Sequence, residues 1–252
     1  MSTETSFVLG IDIGGSFIKA AIVDCCRGEI SGKLVKEPSG VHATPEEIKS
    51  ILRKIVSLLK WKGSIGVGYP GVVIDGICRS AANVDDGWLG CDLTELLSDL
   101  TDNSVAVIND ADAAGMAELR FGGAKDENHV DGKSVLMLTF GTGIGSALFY
   151  CGKLYPNTEF GHIELDNVDA ETRAAASVRV SENLTWEEYA TRVNRYLHAI
   201  EGLLSPELIL LGGGISENFY KFGPLLKTRA RLIPAELGNQ AGLIGAALSA
   251  SD

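Results

Sequence analysis

The chain reads as an α/β protein built from two related units, and three observations predict it. A strand meander, a helix and further strand follow one another twice along the sequence. Two glycine turns, at Gly14-Gly15 and Gly141-Thr142-Gly143, each lie between apolar runs rich in β-branched and aromatic residues. At Asn109-Asp110 a short apolar strand passes into a helix with no Pro- or Ser-rich linker nearby. The expected division is a smaller N-terminal α/β domain, 1–108 plus a returning C-terminal helix in 239–252, and a larger C-terminal α/β domain, 109–238. The two are expected to pack directly and to hinge near Asn109, with a cleft between them.

The elements follow in order. Residues 7–36 form three strands of a meander, turning at Gly14-Gly15 and at Arg27-Gly28. Thr44-Pro45-Glu46-Glu47 opens a helix, with Thr44 as N-cap, Pro45 at the first helical position and Glu47 completing a capping box. Ile48, Ile51, Leu52, Ile55, Val56 and Leu59 then recur at helical spacing. Ser64 to Val73 is a buried strand running into a Pro-Gly loop, and Leu93 begins a short helix. Ser104–Ile108 is another strand, Ala111–Phe121 a helix stopped by Gly122-Gly123, and 134–155 the second glycine hairpin. Apolar residues thin out from Leu165 to Asn183, which predicts an exposed excursion. Thr185-Trp-Glu-Glu188 is a second capping box before a long helix. Glu207–Leu211 is a strand ending in Gly212-Gly213-Gly214, and Ala241–Leu248 is a closing helix with small residues for tight packing.

Composition narrows the function classes. Of 252 residues, 45% are hydrophobic and 22% charged, as in an ordinary globular protein. No apolar run reaches the roughly 20 residues of a membrane span, and no leader pattern follows Met1. No membrane role is therefore expected. The 22 Lys and Arg against 33 Asp and Glu give a net charge of −11, the wrong sign for a nucleic-acid binder. Five cysteines without a CxxC spacing point to free thiols in the cytoplasm rather than a disulfide framework or a zinc site.

The turns and the residues beside them carry the chemistry. Neither glycine turn opens a helix, as a dinucleotide fingerprint or P-loop would, because strand-forming residues resume at once. A glycine turn from each unit, facing the other across the cleft, would hold a donor's phosphates between them, with Gly14, Gly15 and Ser16 on one side and Gly141, Thr142 and Gly143 on the other. Asp110, at the carboxyl end of a strand, is placed either to accept a proton from an attacking hydroxyl or to cap the helix that follows. Asp112 reads as a helix-end charge. Asp12 would bind Mg²⁺ beside the phosphates, or else initiate the turn. Lys19 either neutralises a phosphate or is a solvated strand lysine. Gly213 and Gly214 cradle phosphate or ribose, or simply make a tight turn. Glu159 and His162 suit hydrogen bonding to vicinal sugar hydroxyls, though a single histidine is commonly structural.

In this order the segments resemble the ROK (repressor, open reading frame, kinase) family of sugar kinases, within the hexokinase and actin superfamily. Asp12-Ile-Gly-Gly-Ser is similar to its first phosphate motif and Phe140-Gly-Thr-Gly-Ile-Gly to its second. Leu211-Gly-Gly-Gly-Ile-Ser resembles the nucleotide-side motif, Asn109-Asp110-Ala the catalytic segment and Glu159-x-Gly-His162 the sugar-binding pair. Gly68-Tyr-Pro-Gly-Val-Val, Gly87-Trp-Leu-Gly and Pro156-Asn-Thr-Glu-Phe-Gly-His are closer still to the polyphosphate glucokinase branch. The resemblance implies two ribonuclease-H-like domains and a kinase acting on the 6-hydroxyl of glucose. It implies Asp110 as general base, Mg²⁺ as cofactor, polyphosphate or ATP as donor, and a homodimer. Asn83, Asn109, Asp110, Glu159 and His162 would surround the sugar.

Two departures matter. No cysteine follows Cys151, so the family's zinc cluster is missing, and His162 is expected to carry no metal. The cluster's glutamate goes with it, which leaves Glu164 as a candidate replacement. A strand beginning at Phe7 leaves no room before it for the helix-turn-helix of the family's repressors. The alternatives are an ATP-dependent kinase for mannose or N-acetylmannosamine, and a non-catalytic sugar or nucleotide sensor on the same fold. For polyphosphate, Lys125 and Lys153 are the further cations the sequence offers.

Overall fold

A computed structural model of the chain describes residues 6–40, 43–80, 85–125 and 132–251. Two compact units emerge, Met1–Ala117 with Gln240–Asp252, and Glu118–Asn239. Residues 109–117, the strand end and the first turns of the following helix, belong to the first unit.

In the first unit β1 (Phe7–Ile13), β2 (Phe17–Asp24) and β3 (Glu29–Pro38) form an antiparallel meander. Helix α1 (Pro45–Leu59) carries the capping box: the Glu47 amide donates to Thr44 Oγ1, and the Thr44 amide donates to Glu47 Oε2 at 2.9 Å. Its apolar face buries Ile48, Leu52 and Ile55. Strand β4 (Ile65–Tyr69) lies parallel to β1 and is buried along its whole length, as expected of a strand covered on both faces. A small hairpin of β5 (Val73–Ile74) and β6 (Ile77–Cys78) and the short α2 (Leu93–Leu97) precede β7 (Val105–Asn109), which pairs parallel to β4. Helix α3 (Asp110–Phe121) follows without a break. The sheet order is β3-β2-β1-β4-β7.

The second unit repeats this plan. Strands β8 (Ser134–Phe140), β9 (Ile144–Tyr150) and β10 (Lys153–Tyr155) form its meander. A hairpin of β11 (Glu164–Leu165) and β12 (Val168–Asp169) comes next, then α4 (Glu171–Ala174), α5 (Ala176–Ser181) and α6 (Trp186–Leu204). Helix α6 opens on the second capping box and buries Tyr189, Val193, Tyr196, Leu197 and Ile200. Strand β13 (Leu208–Gly212), the one-turn α7 (Phe219–Phe222) and β14 (Arg231–Pro234) complete the unit. The order β10-β9-β8-β13-β14, with its antiparallel and parallel pairs, matches the first sheet position for position.

The chain returns to the first unit as α8 (Ala241–Ser249). It packs on the sheet and on α3 through positions without side chains. A Cβ at Gly66 would lie 1.7 Å from the Ala246 carbonyl oxygen, and one at Gly245 would lie 1.6 Å from that of Ala113. The small residues of this helix are thus a packing requirement.

One reading needs correction. Residues 165–183 are not a simple exposed excursion, because Ala170, Ala174 and Ala175 are each 1% exposed and join the core of the unit. Alanines bury little area, so they leave a weak hydrophobic signal in the sequence.

Candidate active site

In the first unit the parallel strands end at two carboxylates. Asp12 pairs in register with Gly68 on β4, and Gly68 with Ile108 on β7, so Asp12 and Asp110 sit at the same edge of the sheet, two strands apart, or roughly 10 Å at ordinary strand spacing. Asn109 is 5% exposed, and its Oδ1 accepts hydrogen bonds from the amides of Ala111 and Asp112, both at 2.9 Å. Its Nδ2 donates to the Gly71 carbonyl at 3.0 Å. Asn109 therefore caps α3 and ties down the Pro-Gly loop, and Asp110, the first residue of the helix, is not the cap. Asp112 is fully buried rather than a surface charge at the helix end.

Asp12 and Lys19 face each other across the β1–β2 pair, with Lys19 Nζ 3.2 Å from Asp12 Oδ2. The two candidates thus neutralise each other. A Cβ at Gly242, in the first turn of α8, would lie 3.5 Å from the Asp12 carboxyl carbon, so the acid also faces the positive end of that helix. In the turn beyond, the Gly14 amide donates to the Phe17 carbonyl and the Ser16 carbonyl accepts from the Ser39 amide. Gly15 keeps an ordinary φ, and a Cβ there would meet nothing within 4 Å.

In the second unit the segment after β10 is held by β9. Ser146 Oγ donates to the Thr158 carbonyl at 2.8 Å and accepts from the Phe160 amide at 3.0 Å. Gly161 packs so tightly on Ile144 that a Cβ would come within 2.2 Å of the carbonyl oxygen. These contacts set the short 3₁₀ turn Phe160–His162 and aim Glu159 and His162.

His162 Nε2 lies 3.8 Å from Glu159 Oε2, while Nδ1 lies 2.9 Å from Asp169 Oδ2 and 4.0 Å from Glu171 Oε1. The hydrogen bond with Asp169 holds the imidazole above its usual pKa. Burial raises the Glu159 carboxyl, against the opposing pull of His162. Glu171 is anchored in turn, its Oε2 accepting from the Ile144 amide at 2.9 Å. Glu164 pairs across its hairpin with Asp169, and among the described residues no hydrogen bond or ion pair joins it to Glu159 or His162. The carboxylates that face the histidine from further along the chain are Asp169 and Glu171. Asn83 lies outside the described residues.

The loop between β8 and β9 occupies the same place in its sheet as Gly14-Gly15 does in the first. Ser177 of α5 braces it, donating from its amide to the Gly141 carbonyl and from Oγ to the Thr142 carbonyl at 2.6 Å. A Cβ at Gly143 would lie 2.3 Å from Glu171 Oε2, so a larger residue there would push that carboxylate off the Ile144 amide. Gly213 has φ +78° and would press a Cβ to 2.4 Å from the Phe140 carbonyl oxygen, so the turn requires glycine there. Gly141 and Gly214 are under no such demand, since a Cβ at either would touch nothing. Both line a pocket of about 610 Å³ with Ser177, Arg179, Trp186 and Lys221.

Asp169, Glu171, Ser177 and Arg179, all between Leu165 and Asn183, and Lys221 further on, are additions to the residues the sequence singles out. No spacing signal marks them, because tertiary folding brings them to the glycine loops. Among the described residues no group of three or more His, Cys, Asp and Glu is placed to hold a metal ion. No described helix is long and apolar enough to cross a membrane.

Comparison with known proteins fits this geometry. The profile of the ROK family matches residues 8–175. Polyphosphate glucokinase of Mycobacterium leprae is 44% identical over 243 residues, covering 96% of this chain and 74% of its own length. That of Mycobacterium tuberculosis (strain CDC 1551 / Oshkosh) is 44% identical over 241 residues, with 95% and 89% covered. The crystal structure of inorganic polyphosphate/ATP-glucomannokinase from Arthrobacter sp. strain KM superposes with a TM-score of 0.89 at 43% identity, covering 96% of this chain and 97% of that one.

Proposed function

The chain belongs to the ROK family, and from that premise we propose that it is a glucokinase, moving a phosphoryl group from inorganic polyphosphate or ATP to the 6-hydroxyl of glucose. The observation that carries the reading is the cap of α3. Asn109 supplies it, so the ordinary structural duty of an acid at that position is already filled, and Asp110 stands at the carboxyl end of a parallel strand, where α/β sheets gather their ligands.

The chemistry asks little covalent work of the protein. Asp110 accepts the proton of the 6-hydroxyl as its oxygen attacks the terminal phosphorus. The new O–P bond forms as the bridging P–O bond breaks, and the donor leaves one phosphate shorter, as polyphosphate or ADP. Glu159 and His162 orient the sugar through its hydroxyls, and Asp169 fixes which ring nitrogen of His162 is offered to it. Asn109 acts by positioning Asp110 and the Gly71 loop. The glycine loops bring backbone amides close to phosphate oxygens.

Mg²⁺ fits this scheme as a companion of the donor. Asp12 is a single, partly exposed carboxylate already balanced by Lys19, which suits a contact to an ion ligated mainly by phosphates. When bound, the ion neutralises charge on the transferring phosphate. A homodimer in the cytoplasm belongs to the same reading, on the resemblance alone. The glucomannokinase likeness at 43% identity favours a second acceptor, mannose, beside glucose.

The test is glucose-dependent consumption of donor at matched magnesium, with polyphosphate and ATP in separate arms and sugar phosphate measured directly. Glucose 6-phosphate from either donor supports the proposal. A protein that binds sugar but forms no sugar phosphate from either overturns it.

A further inference from the structure

The pocket beside the second glycine loop has a charge unlike that of the protein around it. The chain carries −11 overall, yet the lining contains two cations, Arg179 and Lys221, and no carboxylate. Neither cation has a carboxylate within 4 Å among the described residues. The Arg179 guanidinium stacks on the Trp186 ring, 3.6 Å from its centroid, and Lys221 Nζ lies 5.3 Å from the same ring. The buried Nε of Arg179 has no hydrogen-bond partner among the described residues. A planar fork held against an aromatic ring is preorganised to bind phosphate oxygens two at a time.

The aromatic group in the pocket is already engaged. Trp186 stacks on Phe222 with centroids 5.8 Å apart and planes 14° from parallel, and Arg179 covers it as well. A purine seeking the Trp186 ring on the face that Arg179 covers would meet the guanidinium there. A phosphate chain needs only the cations and the open backbone at Gly141 and Gly214. Lys125 and Lys153 are exposed and outside the lining, so the cations of this pocket are Arg179 and Lys221.

We propose that this pocket binds the inner phosphates of a linear polyphosphate, those behind the one transferred, and that Arg179 and Lys221 set the preference for polyphosphate over ATP. The proposal rests on the kinase reading and deepens it. No new covalent step is involved, because the chain is held here and cleaved at its end.

The test replaces Arg179 and Lys221 with glutamine, singly and together, in the full chain, and adds Arg179→Lys, which keeps the charge but loses the planar fork. kcat/KM is measured with long-chain polyphosphate, tripolyphosphate and ATP, with glucose KM as the control. Binding of tripolyphosphate is measured separately by calorimetry without glucose. The double variant should lose about tenfold or more in kcat/KM with long polyphosphate, the scale of lost charge-assisted hydrogen bonds. Its kcat/KM with ATP should change less than about threefold, and glucose KM should not move. Arg179→Lys should recover only part of the polyphosphate loss. Equal losses with both donors, or none with either, overturn the proposal, provided the variants melt like the parent. If the parent forms no sugar phosphate at all, the kinase reading fails instead, and the calorimetry still decides whether the pocket takes a polyanion.

Discussion

Nδ1 of His162 lies 2.9 Å from Oδ2 of Asp169, and that contact leaves Nε2 as the nitrogen turned toward Glu159. Because Asp169 raises the histidine above its ordinary pKa of about 6.5, the protonated ring stabilises the fold. That stabilisation is fully present below the unfolded value and is lost as pH rises through the raised folded one. Burial raises Glu159 as well, so its contribution likewise falls with increasing pH, from its ordinary carboxylate range upward.

Asp169→Asn removes the largest cause of the histidine shift. An NMR titration of the His162 ring should show its pKa falling toward about 6.5, and melting curves should depend less on pH between mildly acidic and mildly alkaline conditions. A ring that titrates as in the parent contradicts the assignment.

The glycines divide into two kinds that substitution to alanine separates. Gly66→Ala and Gly245→Ala drive a Cβ into backbone at 1.7 and 1.6 Å, and each should cost roughly 2 kcal/mol or more in urea unfolding. Gly15→Ala and Gly214→Ala place the new methyl in open space at an ordinary φ, so stability should change by less than about 1 kcal/mol in either direction. Donor KM should nonetheless rise severalfold in these two variants. An unchanged donor KM removes them from the phosphate loops.

Glu118 is fully buried and does the work of a cap for two separate segments. Its Oε2 accepts from the amides of Gly123 at 2.9 Å and Glu236 at 3.0 Å, and its Oε1 from Leu237 at 2.7 Å. Glu118→Ala leaves three amides without their acceptor and should destabilise the protein by about 3 kcal/mol or more. Glu118→Gln should recover part of that in the same unfolding assay, since its single carbonyl oxygen still accepts.

The frame of this protein was legible because its signals are local. Thr44 and Thr185 with their capping boxes, the apolar faces of α1 and α6, and the two glycine hairpins are each set by neighbours within a few residues. The candidate site was legible only where it stays near such signals, as at Asn109-Asp110 and at the glycine turns. Which of Asn109 and Asp110 caps α3 was not, because a cap is decided by rotamers rather than residue type. Asp169, Glu171 and Arg179 escaped because their partners, His162, Ile144 and Trp186, are brought to them by folding through a run of alanines that carries almost no hydrophobic periodicity.

Asp110 is the residue on which the proposed phosphoryl transfer most directly depends. Asp110→Asn keeps the shape and removes the proton acceptor, so calorimetry should show glucose binding within about threefold of the parent while turnover with either donor falls by a factor of roughly 100 or more. Near-parental turnover in that variant would contradict the account, whatever the donor.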